Sequence, residues 1–207
     1  MRAMASSKKA VKKATPAKKA PKQSRRVEAA NADPVLFDPL TPGEIADALR
    51  RLTEDRRLSQ MAKVGRYRVI AAEPLVVKPP NAMSGHRLAR IVAYDYAGDR
   101  TVDACVDLDA GVVTHLDVNR GQPMLSREEE ALAVSIATLD ERVHSKLVLG
   151  DVPISTLSYW GRRASDLAFS RRSAAVVFGR TDGHASLVAV VDLLDNTVTH
   201  VVPAELW

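Results

Sequence analysis

A single cysteine, Cys105, in 207 residues excludes any disulfide within one chain. It stands in an apolar, strand-like run, where a free thiol behaves as a small hydrophobe. No stretch approaches the roughly 18 apolar residues of a membrane helix, so no membrane partner is expected and the expected location is the cytoplasm. Arg25-Arg26 is followed by residues 27–34, which contain acids and no apolar run, unlike a twin-arginine leader. A Gly-rich phosphate loop, a Cys–His pair and a Gly-x-Ser-x-Gly elbow are all missing, so nothing points to an activated nucleophile.

Acid is missing from one segment only. Residues 1–26 carry ten cations (Arg2, Lys8, Lys9, Lys12, Lys13, Lys18, Lys19, Lys22, Arg25 and Arg26) and no Asp or Glu. The remainder therefore holds 30 − 10 = 20 cations against 25 acids, a net charge of −5. The basic character belongs to a tail and the body is mildly acidic. Residues 1–33, rich in Lys, Ala and Pro without apolar periodicity, are expected to be disordered. Such a run attracts polyanions, RNA or DNA among them, by releasing counterions rather than by reading sequence. A solubilising tether or a removable address would use the same composition.

What is present is a repeat. Residues 104–116 return 85 positions later as residues 189–201, with Ala, Val, Asp, Leu, Val, Thr and His coinciding. The same offset carries Thr41 and Glu44 onto Ser126 and Glu129, two helix-opening capping boxes in which a hydroxyl and a Glu three residues on satisfy orphan amides. Two unrelated signals in one register imply a duplicated unit of about 85 residues. The expected division is a tail over 1–33, a first domain over 34–121 and a second over 122–207.

Each unit reads as a helix followed by antiparallel strands, an α+β fold with a helix laid on one sheet. Ile45, Ala48, Leu49 and Leu52 form the apolar stripe of the first helix, and Glu54–Arg57 is placed towards its end, with Arg56 and Arg57 expected to complement its carbonyl end. Strands are expected over 67–72, closed by Pro74, then 88–96, 102–108 and 112–118. In the second unit Leu132, Ile136, Leu139 and Val143 form the expected stripe, with strands over 174–179, 187–193 and 197–202. Residues 152–160 align poorly with the first strand of unit one. Gly111 supplies the left-handed residue of a three-residue hairpin loop, and Asn196 stands at the same place in unit two.

The run Phe37-Asp-Pro-Leu-Thr-Pro-Gly-Glu-Ile45, then Ala72-Glu73-Pro74 with Lys78 beyond it, then Val106-Asp107-Leu108 and its hairpin, resembles the first N-terminal domain of copper amine oxidases. Residues 126–143 and Val190-Val191-Asp192-Leu193 resemble the second such domain. The likeness covers about residues 35–203 and implies two tandem cystatin-like domains. In that family a large C-terminal domain, which this chain lacks, does the chemistry. There a Tyr in a Thr-x-x-Asn-Tyr-Asp/Glu segment becomes the quinone, and a His-x-His pair with a distant His holds copper. This sequence has no Asn-Tyr dipeptide, and His86, His115, His144, His184 and His200 never form His-x-His. No catalytic, cofactor-binding or metal-binding residue carries over. The expectation is a non-enzyme without cofactor, an interaction or accessory module for a separate oxidase chain or for a second copy of itself. The competing expectation is a nucleic-acid-associated protein acting through its tail.

Of the remaining polar residues, Asp107 and Asp192 are expected to bond the amides of their hairpin turns. His115 and His200 are expected to be ordinary strand residues, because a metal site needs three or four ligands and none is placed beside them. Tyr159, Trp160, Arg162, Arg163, Arg171 and Arg172 are the candidate partner contacts, since Trp, Tyr and Arg dominate binding hot spots. A buried aromatic beside solvated arginines is the alternative.

Overall fold

The computed structural model describes residues 34–161, 163–166 and 168–207; the expectations for the tail and for Arg162 fall outside them. Helix α1 (Pro42–Glu54) opens on Thr41, whose Oγ1 accepts from the Glu44 amide at 3.2 Å while the Glu44 carboxylate accepts from the Thr41 amide at 2.7 Å. Helix α3 (Arg127–Leu139) opens in the same way on Ser126 and Glu129. Both end at an extended Asp, Asp55 or Asp140, whose carboxylate caps the next turn through the amide of Arg57 or Arg142. Residues 54–57 are thus not a helix end complemented by arginines. Arg57 folds back onto Asp55 at the start of a 3-10 turn (Arg56–Leu58), and α2 (Ser59–Val64) follows; in unit two the piece corresponding to that 3-10 turn is α4 (Glu141–His144).

Two four-stranded antiparallel sheets follow the chain order. The first contains β1 (Tyr67–Leu75), β2 (Leu88–Asp95), β3 (Arg100–Asp107) and β4 (Val112–Asn119). The second contains β5 (Val152–Tyr159), β6 (Ser173–Gly179), β7 (Ala185–Asp192) and β8 (Thr197–Pro203). The fold is α+β, a helix on a sheet twice over. β1 continues through Pro74, which pairs with Ala89. As an edge strand it bonds a neighbour on one side only, so proline does not end it. Residues 152–159, poorly matched in sequence, pair with β6 as β1 pairs with β2. The register of β3 against β4 slips between Cys105 and Val106, and that of β7 against β8 between Val190 and Val191, 85 residues on.

In unit one Ala48 and Leu52 of α1 pack with Ala89, Ile91, Ala93, Val102, Ala104 and Val106. In unit two Ala133 and Ala137 of α3 pack with Ala174, Val176, Phe178, Leu187, Ala189 and Val191. The volumes compensate: where the helix shrinks from Leu52 to Ala137, the sheet grows from Ala93 to Phe178, as close packing requires. The stripe expected for α3 is corrected here. Its buried line is Glu129, Ala133 and Ala137, whereas Leu132 and Ile136 only flank the core. Leu139 is 81% exposed, standing where unit one has Glu54. Val143 is buried, but on α4.

The faces turned away from the helices differ. By strand alternation and register, the first sheet presents Glu73, Arg90 and Asp103 there, joined by bonds from the Arg90 guanidinium to Glu73 at 2.8 Å and to Asp103 at 2.7 and 3.0 Å. The second presents Leu157, Tyr159, Ala175, Val177, Val188, Val190 and Val202. The segment after β8 returns across it, placing Trp207 against Tyr159 of the far edge strand at 5.1 Å between ring centroids. No helix among the described residues is long and apolar enough to cross a membrane.

Candidate functional site

The capping-box glutamates do more than start helices. Arg87, just ahead of β2, donates from Nε to Glu44 at 2.7 Å, and its terminal nitrogens reach the carbonyls of Val35 at 2.7 Å, Asp38 at 3.0 Å and Pro39 at 3.2 Å. Arg172 repeats this in unit two, donating to Glu129 at 2.9 and 2.7 Å and to the carbonyls of Pro123 at 2.5 Å and Met124 at 3.0 Å. Each lock ties the segment entering the helix to the strand beneath it. The Arg87 bonds, with that of the Thr41 amide, hold the Glu44 carboxyl down at about 2. Burial pushes Glu129 upward, but the bonds from Arg172 and Tyr96 outweigh it and leave the group below its ordinary range.

The second lock is also where the units meet. Tyr96 of unit one donates its hydroxyl to Glu129 at 2.6 Å, and the Arg172 guanidinium lies 4.9 Å from the Tyr94 ring centroid. Gln122, in the connection, donates to the Tyr94 hydroxyl at 3.2 Å, and Arg66 donates to the carbonyl of Leu194. Burial, then the bonded carboxylates Asp99 and Glu129, push the hydroxyls of Tyr94 and Tyr96 above the ordinary phenol range. Arg172 is therefore corrected from a partner contact to a structural residue. It is 1% exposed, because a guanidinium saturated by a carboxylate and carbonyls is stable in the interior only when so paired.

Asp107 and Asp192 bond their turns as expected. Asp107 accepts from the amides of Asp109 and Ala110, both at 3.0 Å, and Asp192 from those of Leu194 at 2.8 Å and Asp195 at 3.3 Å. Their other oxygens differ. That of Asp107 meets His86 Nδ1 at 2.6 Å, and that of Asp192 meets the guanidinium of Arg171, which also donates to Asp195 at 2.5 Å. Arg171 is thus half-exposed but engaged by two carboxylates. His86, Asp107 and Asp109 each bring one ligand atom within 4.8 Å of the others, the one such group of three among the described residues. His115 and His200 are exposed on β4 and β8 and belong to no such group. Cys105 is buried.

The other expected partner contacts fall on the second sheet and the loop after β5. Trp160 is 43% exposed, Phe169 43%, Leu206 73% and Trp207 47%. Tyr159, Ser165, Asp166, Val202, Leu206 and Trp207 line a shallow depression of about 350 Å³. Arg163 is exposed nearby, its amide donating to Asp166 at 2.9 Å. Leu206 and Trp207 were not legible as part of this depression, because the returning chain end brings them to it. The locks did carry a sequence signal: Arg87 and Arg172 stand at the same 85-residue offset as Glu44 and Glu129.

No protein-family model matches the chain, and no curated protein does. Among solved structures it is similar to a copper-containing benzylamine oxidase from Hansenula polymorpha, at 12% identity and a TM-score of 0.46. That likeness covers 81% of this chain and 30% of the oxidase.

Proposed function

We propose that this chain is a non-catalytic protein-interaction module, two cystatin-like domains over 34–121 and 122–207 of the kind found near the N-terminus of copper amine oxidases. The family-level part is supported by the ordered motifs at 37–45, 72–78, 106–108, 126–143 and 190–193. The interaction part is supported by one observation, the exposed aromatic residues of unit two: Trp207 set against Tyr159, and Trp160 and Phe169 exposed in the segment after β5. Rings and arginines of this kind carry most of the energy of protein interfaces. The partner is a separate oxidase catalytic chain or a second copy.

Sedimentation of the full chain, alone and mixed with an amine oxidase catalytic domain, tests this against a Trp160→Ala, Trp207→Ala double variant. The expected result is an association that the variant weakens by about tenfold or more. Association unchanged in the variant overturns the site. Oxidation of a primary amine by the purified chain, with copper bound one to one, overturns the non-catalytic assignment.

The ten acid-free cations of residues 1–26 favour a second reading, polyanion binding through the tail. If five of them meet phosphates, log affinity for duplex DNA falls with a slope of about −4.5 against log salt. Binding that survives deletion of residues 1–26 would rule the tail out.

A further inference from the structure

We propose that His86, Asp107 and Asp109 form a site for a divalent cation of the zinc type. The three come from two elements that the fold fixes against each other. His86 ends the loop before β2, and the two aspartates flank the start of the β3–β4 turn. Asp107 is held by the turn amides through one oxygen, which leaves the other aimed at His86 Nδ1. Asp109 is held by the Arg87 amide at 2.8 Å, and its second oxygen makes no hydrogen bond among the described residues. The three side chains therefore converge to within 4.8 Å, and His86 is half-exposed, so an ion entering from solvent needs only the His86–Asp107 hydrogen bond to open.

The duplication supplies an independent observation that this is a place for positive charge. In unit two the carboxylate equivalent to Asp107 is Asp192, with the same turn bonds. There a permanent cation, the guanidinium of Arg171, lies between Asp192 and a second hairpin carboxylate, Asp195. Unit one keeps the first carboxylate as Asp107, carries its second hairpin acid one place earlier, as Asp109 where unit two has Leu194, and places His86 at the arginine's position. The two acids there thus lie beside an imidazole, a common metal ligand, in place of a permanently charged guanidinium. One imidazole and two carboxylates, with water completing the shell, suit Zn²⁺. Binding through Nδ1 replaces the His86–Asp107 hydrogen bond and pins the 76–87 loop to the hairpin, beside the Arg87–Glu44 lock.

Titration of the full chain with Zn²⁺ by calorimetry, and with Co²⁺ by visible absorption, tests the site. The expected result is one ion per chain and a Tm that rises with metal. Asp109→Asn should weaken binding by about tenfold. His86→Arg, which installs the arrangement of unit two, should abolish binding while the chain remains folded by circular dichroism. His115→Ala and His200→Ala should change nothing. Absence of binding by the full chain, or binding that persists in the folded His86→Arg variant, overturns the proposal.

Discussion

The two arginine–glutamate locks are built from the same residues at the same offset, yet they sit in different surroundings. At the first, the side chains of Arg87 and Glu44 are 10% and 26% exposed, and at the second those of Arg172 and Glu129 are 1% and 0%. The difference is made by unit one, whose Tyr94 and Tyr96 cover the second lock, while the described residues place no aromatic pair over the first. A local device that stabilises one helix entry has thus become, in its second copy, the floor of the contact between units. An ion pair with solvent access gains little and loses little, whereas a buried one is costly to break because the survivor is left charged and unpaired.

That contrast breaks most visibly at the carboxylates. Glu129→Ala should cost about 3–5 kcal/mol by urea unfolding, and Glu44→Ala about 1–2 kcal/mol, near the net value of a charged hydrogen bond; equal costs would mean the two locks are equivalent after all. Tyr96→Phe removes only the hydroxyl given to Glu129 and should cost about 1.5–3 kcal/mol. No cost there would separate the unit contact from the lock.

The hairpin position sharpens the comparison in the opposite sense. Gly111 has φ 68° and Asn196 φ 55°. An alanine at 111 would also bring its Cβ within 2.9 Å of the Arg51 guanidinium carbon. Gly111→Ala should cost about 1–2 kcal/mol, while Asn196→Gly should change stability by no more than about 0.5 kcal/mol, both read from thermal unfolding.

The first lock has an acid limb. Arg87 depresses the Glu44 carboxyl from its ordinary 4.5 to about 2, so its contribution is complete above pH of about 4.5 and is lost as pH falls toward 2. Glu44→Gln should flatten the stability profile across that interval and leave it parallel to wild type at neutral pH. The smallest effect belongs to Leu139→Ala, expected within about 0.5 kcal/mol because the side chain faces water. A cost above 2 kcal/mol would restore the stripe that its spacing suggested.

The case of Leu139 shows how far sequence periodicity reaches. Leu132, Ile136 and Leu139 make a good apolar line at helical spacing, but the face actually buried is Glu129, Ala133 and Ala137. Alanine carries little hydrophobic weight in a pattern, and a glutamate in a core line is legible only once its arginine is known. The capping boxes, the turn aspartates and the left-handed hairpin residue were readable because each depends on neighbours a few residues away. The candidate sites were not, since His86 meets Asp107 across 21 positions and Tyr159 meets Trp207 across the whole second sheet.

Sequence alone established the duplication, the helix starts and the turn chemistry, all of which rest on short-range hydrogen bonding and backbone conformation repeated at one fixed interval. Tertiary structure decided which copy of the Arg–Glu pair is buried, which helix face is the core and which acids share a cation's place. Those outcomes depend on desolvation by groups distant in the chain, and the energy of a charge is set by what surrounds it rather than by what precedes it.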